Sequence, residues 1–167
     1  MKTIFWLFEN YAEAKAAVAE LSARGFDETE MNAIALAEVV KDVVDVNWKA
    51  VEVQVTDKIG EQTLEGLDRL FGGEQPAKGL DVGKVFAAGT LATLVTKTAL
   101  AFGGKEGGFR DALADLNVPE NLASAFVDGI KQRGVLFWVR CSDDQAAQAT
   151  SAMEDRQATI AASYVHA

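Results

Sequence analysis

The most reactive side chains in this chain occur once each: a single cysteine, Cys141, and a single histidine, His166. A thiol within hydrogen-bond reach of an imidazole is the pair that nucleophilic catalysis needs. Cys141 closes the apolar run that starts at Val135, and His166 follows the last such run. If those two strands are antiparallel, their ends lie a strand length apart, ~20 Å for six residues. The pair is therefore expected to be remote and non-catalytic. Glu9, Asp143 and Asp144 should gather at the carboxyl ends of two central strands, where paired carboxylates could do acid–base work. Asn10 and Ser142 stand beside them at helix-cap positions, and carboxylates at helix N-termini are stabilised by the macrodipole, so capping explains them better. Asp27-Glu28-Thr29-Glu30 lacks the alternating oxygen ligands and the glycine of a calcium loop and reads as a solvated acidic turn. Gly103-Gly104-Lys105-Glu106-Gly107-Gly108 has a lysine but neither the spacing nor the following Ser/Thr of a phosphate loop. No metal, cofactor or catalytic set is expected.

The elements that would position these groups come as a repeat. Leu136-Phe137-Trp138-Val139 matches Ile4-Phe5-Trp6-Leu7 at an offset of 132, and the match continues into the next segment. Asn10 answers to Ser142, Ala14 to Ala146, Ala17 to Ala149, Leu21 to Met153 and Arg24 to Arg156. Thr3–Phe8 is apolar at alternate and intervening positions alike, as in a strand covered on both faces. Asn10…Glu13 and Ser142…Gln145 have capping-box spacing, and Gly25 suits the left-handed residue after a helix ending near Arg24. Met31–Ala37 and Thr159–Val165 are the closing strands. Strand–helix–strand twice over predicts an α+β fold of ferredoxin-like type, a four-stranded antiparallel sheet with two helices on one face. Thr3–Phe8 and Val135–Cys141 are expected to be its central, adjacent strands, running parallel. The chain reads as one domain, with a core at 1–37 and 135–167.

The middle, 38–134, reads as a mostly helical insertion. Val39, Val40, Val43 and Val44 have helical spacing, while Val51, Val53 and Val55 alternate with polar residues as in a strand. Asp57 can cap a helix carrying Ile59, Leu64, Leu67 and Phe71. Val82–Ala88 is ambiguous between an extended segment and a helix start. Helices are expected at Thr90–Phe102, with Thr90 as cap, at Phe109–Leu116, and at Glu120–Gln132 with Pro119 at the first helical position.

Composition narrows the partners. The chain has 167 residues, 49% hydrophobic and 25% charged, enough for one well-packed domain. Its net charge of −9, with no Lys/Arg-rich stretch, disfavours nucleic acid. One cysteine allows no intrachain disulfide and suits a reducing, cytoplasmic setting. The N-terminal apolar run is too short for a signal-peptide core, and Val85–Leu100 falls short of the ~20 apolar residues of a membrane span. The large aromatics carry the remaining information. Trp6, Phe8 and Trp138 are expected on the sheet face away from the two repeat helices, with Trp6 beside Trp138. Exposed, they would form an apolar patch a monomer does not tolerate, so the insertion or a second subunit must cover them.

Asp115-Leu116-Asn117-Val118-Pro119-Glu120 and then Gly129-Ile130-Lys131-Gln132-Arg133-Gly134-Val135-Leu136-Phe137-Trp138-Val139-Arg140 resemble the C-terminal half of bacterial general stress (heat-induced stress) proteins. In that family a helix start with glycine, proline and an acidic residue leads through an arginine-glycine turn into an apolar strand; Asn117 stands here at the glycine. The N-terminal strand, helix and glycine-Phe26-acidic run are also similar, so the resemblance covers about 90 residues at both ends. It implies a stress-associated, non-enzymatic protein with no functional residues to carry over. The expectation is a non-catalytic interaction module, acting as a homo-oligomer. The alternative is a sensory domain that holds an apolar or aromatic metabolite between sheet and insertion.

Overall fold

The computed structural model describes residues 2–40, 67–72, 83–101, 108–153 and 158–165. The expected strand at Val51–Val55 and most of the helix begun at Asp57 lie outside these residues.

Strand β1, Lys2–Phe8, is buried along nearly its whole length. Asn10 then adopts extended backbone and its Oδ1 accepts the Glu13 N–H at 2.9 Å, which starts helix α1, Tyr11–Ala23. The helix ends because Gly25 takes φ +87, letting the Phe26 N–H return to the Leu21 carbonyl at 3.1 Å. A 3-10 turn, Glu28–Glu30, leads into β2, Met31–Leu36, and residues 37–40 are helical. From the middle of the chain come α2, Leu67–Gly72; β3, Val85–Ala88; α3, Thr90–Ala101; α4, Gly108–Ala114; and α5, Glu120–Lys131. Pro119 is the N-cap of α5, with ψ 144, and not its first helical residue. Asn117 has φ 67, the left-handed conformation that asparagine tolerates better than other non-glycine residues. Strand β4, Val135–Cys141, precedes helix α6, Asp143–Met153, and β5, Ala158–Val165, follows. The capping box before α6 is complete: the Gln145 N–H donates to Ser142 Oγ and the Ser142 N–H donates to Gln145 Oε1, both at 3.2 Å.

The sheet has five strands in the order β3-β2-β4-β1-β5, and every neighbouring pair is antiparallel. It contains the four expected strands plus β3, which the ambiguous segment before Gly89 adds to the edge of β2. The adjacency of β1 and β4 agrees with the repeat; the expected parallel direction does not. Chain direction explains the correction. Helix α1 carries the chain back across the sheet so that β1 and β2 point the same way, and β4 fits between them in the opposite sense.

Register then sorts the side chains. Phe5 opposes Trp138 and Trp6 opposes Phe137, so even-numbered β1 residues share a face with odd-numbered β4 residues. One face carries Ile4, Trp6, Phe8, Phe137 and Phe86. It meets α1 and α2 through the ring contacts Phe86–Phe71 and Phe71–Tyr11, with α6 packed against α1 and β1. The other face carries Phe5, Leu7, Asn32, Ile34, Leu136 and Trp138. Helices α3 and α5 lie over it, and α4 packs on both of them. The sheet is thus covered on both faces, which is why its central strands lack the alternation of a half-wet sheet.

Candidate functional site

The three aromatic residues singled out in the sequence are all buried, but they are not one cluster. Trp6 and Phe8 face α1 and α2; Trp138 faces the insertion helices α3 and α5. Trp6 therefore does not lie beside Trp138, and its partner is Phe137, with ring centroids 5.9 Å apart. The cause is one residue of connection. The strands β1 and β4 are related by 133 positions, Lys2 to Val135 and Phe8 to Cys141. The caps Asn10 and Ser142 are related by 132, because Glu9 has no counterpart after Cys141. Side-chain direction alternates along a strand, so that single residue moves the matched tryptophan to the opposite face.

What the structure brings together over the insertion face is a different set. Phe5 stacks on Trp138 at 5.1 Å between centroids and on Phe126 of α5 at 5.7 Å. These offset stacks join β1, β4 and α5 through side chains that are all fully buried. Gly129 of α5 allows the close approach: a Cβ there would collide with the Leu7 side chain. Thr3 Oγ1 and Trp138 Nε1 are buried without hydrogen-bond partners, both on strand positions of this face.

Beside the stack lies Asn32, opposite Trp138 on β2 and only 3% exposed. Its Oδ1 accepts the N–H groups of Leu91 and Ala92 at 2.9 and 3.0 Å, the orphan donors in the first turn of α3. Thr90, expected to cap this helix, is instead its first residue, and the cap comes from a strand 59 positions earlier in the chain. Gly89 makes room for it, with φ +102 and no space for a Cβ against Asn32 and the Met31 carbonyl. Asn32 was missed by pattern reading. Its signal was a lone amide in an apolar strand, Met31-Asn32-Ala33-Ile34, which required a partner once that strand was buried on both faces.

The potentially reactive groups are dispersed. Glu9 follows the end of β1 and Asp143 and Asp144 follow the end of β4. Because those strands are antiparallel, the carboxylates sit at opposite ends of the sheet, ~20 Å apart for seven residues of strand, and do not gather as expected. Lys2 has Cys141 on one side and Val165 on the other, so β4 and β5 end together. The Cys141 and Val165 backbones are therefore ~10 Å apart, two strand spacings, and the two strands run in the same direction, not antiparallel as expected. His166 lies outside the described residues. Cys141 is 2% exposed, and its burial raises the thiol pKa above its ordinary value. Asp27 is used structurally: its carboxylate accepts the Thr29 hydroxyl at 2.7 Å and the Thr29 N–H at 2.9 Å, which lowers its pKa. Among the described residues no group of three or more His, Cys, Asp or Glu side chains could hold a metal. Nor is any described helix long and apolar enough to cross a membrane.

Among the described residues, surface hollows lie outside the aromatic stack. A cleft of about 210 Å³ is lined by Leu7, Phe8, Glu9, Gly129, Gln132 and Gly134, where β1 ends against the end of α5. A wide, open depression of about 550 Å³ runs along α3 past Gly89, Thr90, Thr93, Leu94 and Lys97, and Leu94 stands half exposed in it. Neither gathers several polar groups around an enclosed apolar floor, as a small-molecule site does. No protein-family model, curated protein or solved structure matches this chain.

Proposed function

We propose that this protein is a non-catalytic, stress-associated interaction module that works as a homo-oligomer. One observation carries the reading. The layer between sheet and insertion, where a metabolite would sit, is filled by the protein's own rings, Phe5 between Trp138 and Phe126. A module that acts through its surface fills that layer; a sensor leaves it hollow. The order β5-β1-β4-β2 with antiparallel neighbours supports a ferredoxin-like core into which the middle segment is inserted, contributing β3 to the sheet. The stress association rests on the resemblance of both ends to general stress proteins, and the cytoplasmic setting on the lone cysteine.

The second reading, a sensor for an apolar or aromatic metabolite between sheet and insertion, is favoured by Trp138 Nε1 and Thr3 Oγ1. Buried donors and acceptors without partners are uncommon, and a ligand can satisfy them. Native mass spectrometry of protein isolated from cells separates the two. The module reading expects an oligomer whose mass is a whole multiple of the chain. A stoichiometric small-molecule adduct on the native protein, lost on unfolding, would establish the sensor instead.

A further inference from the structure

The sheet has two edges, and they are built differently. Strand β3 is four residues long, preceded by Lys84 and bounded by Gly83 at φ +107 and Gly89 at φ +102, positive values that an extended strand does not use. Short edges of this kind offer little to another strand. Strand β5 is eight residues long, the longest in the sheet, and pairs with β1 along its length. Its one irregularity falls where Ala158 meets Phe8, at its very start. The sequence Ala158-Thr159-Ile160-Ala161-Ala162-Ser163-Tyr164-Val165 contains no charge, proline or glycine. Charges, prolines, bulges and shortness are the devices that keep edges from pairing, and beyond its first residue β5 has none of them. Among the described residues nothing pairs with its outer side.

We infer that the outer edge of β5 is the docking edge for a second copy of this chain, the two β5 strands pairing antiparallel about a twofold axis. The inference rests on the homo-oligomer part of the proposed function and adds the surface that forms it. Two features select a second copy over another protein. The chain carries a net charge of −9, so copies repel over most approaches, and an uncharged strand is where like-charged copies can meet. A basic partner, which the overall charge would attract, finds no carboxylate on this strand. Antiparallel pairing of one strand with itself is also self-complementary and closes at two. Growth stops there because the outer edges of the extended sheet are then the two short β3 strands. Pairing along one strand buries less than the ~1,200–2,000 Å² of a standard stable interface, so the dimer should dissociate on dilution.

The test uses the full chain. Sedimentation velocity over a concentration series gives the oligomeric state, and amide exchange by NMR at high and low concentration locates the contact. Along β5 successive N–H groups point alternately toward β1 and outward. The expected result is a dimer that dissociates on dilution, with alternate β5 amides losing roughly tenfold or more of their protection while those bonded to β1 keep theirs. Of Ala161→Pro and Ala162→Pro, one removes an outward N–H and should give a folded monomer; the other breaks a bond to β1 and should destabilise the fold. If both variants unfold, the wild-type exchange pattern decides alone. An oligomer whose β5 protection does not change on dilution, or which persists in the folded proline variant that lacks an outward N–H, overturns the β5 edge and leaves oligomerisation standing. A monomer at every concentration overturns both.

Discussion

Replacing Asn32 with alanine tests the link between sheet and insertion most directly. The substitution removes one oxygen that accepts two N–H groups of α3, from Leu91 and Ala92. Loss of a helix N-cap costs typically ~1 kcal/mol. Desolvation adds more than that here, because the replaced side chain leaves donors that water reaches poorly. The Ala92 bond is buried and the Leu91 bond partly so. An orphaned buried donor costs ~1–3 kcal/mol, and with Leu91 partly rescued by solvent the total should be about 2–4 kcal/mol. Urea unfolding gives that figure as a shift in midpoint with an unchanged slope. Amide exchange at Leu91 and Ala92 should accelerate beyond the global change, since the first turn of α3 frays once it is uncapped. Gly89→Ala attacks the same joint from the other side. Its Cβ would land on the Asn32 side chain and the Met31 carbonyl at φ +102, so it should be at least as damaging. A loss below ~0.5 kcal/mol for Asn32→Ala, with exchange at Leu91 and Ala92 unaltered, would refute the assignment of Asn32 as the cap.

Three further outcomes are expected. Measured against wild type at the same protein concentration, Trp138→Ala should cost about 3–5 kcal/mol, because Phe5 and helix α5 cover the ring within one chain. Trp138→Phe should cost distinctly less, since it keeps a ring for Phe5 and removes an indole N–H that lacks a partner; equal losses, or an alanine loss that grows steeply on dilution relative to wild type at the same concentration, would contradict this packing. Burial raises the Cys141 pKa, so the fold favours the thiol: its contribution is complete below the unfolded value of ~8.5 and is lost as pH rises through the folded one. Alkylation should accordingly be slow in native protein and fast in urea, and Cys141→Ser should fold; rapid labelling of the native protein near neutrality would contradict a buried thiol. The Asp27 pKa is lowered by the Thr29 hydroxyl and N–H, so its contribution is present above the unfolded carboxylate value and disappears as pH falls through the folded one. Thr29→Val should raise the Asp27 pKa measured by NMR, and an unchanged titration would show that the hydroxyl does not set it.

Some of this architecture was legible residue by residue. Asn10 before Glu13, Ser142 before Gln145 and Gly25 after Arg24 are contacts within a few positions, so their geometry follows from local chemistry. The apolar strands β1 and β4 were equally plain, because burial on both faces leaves no polar alternation to blur them. The extended segment at Val85–Ala88 was ambiguous, since four apolar residues fit a strand or a helix start. The free edge of β2 and the two left-handed glycines around the segment decide it. The candidate aromatic site was legible only as a set of large residues needing cover.

The sequence by itself determined most of the strands and helices among the described residues, Val85–Ala88 excepted, where several of them stop, and that the central strands would be covered on both sides. Only the tertiary structure decided which residues meet. Strand direction, and the parity that sets Trp138 against Phe5 instead of Trp6, depend on how the chain returns between elements. One extra residue before α1 moves each matched β4 side chain to the face opposite the one the repeat implied. The cap that Asn32 gives α3 spans 59 positions, and its energy exists only once β2 and that helix are already side by side. Local patterns report energies realised within one turn or one pleat of chain. Register, sheet order and remote caps are chosen by competition among whole packed arrangements, which no short stretch of residues encodes.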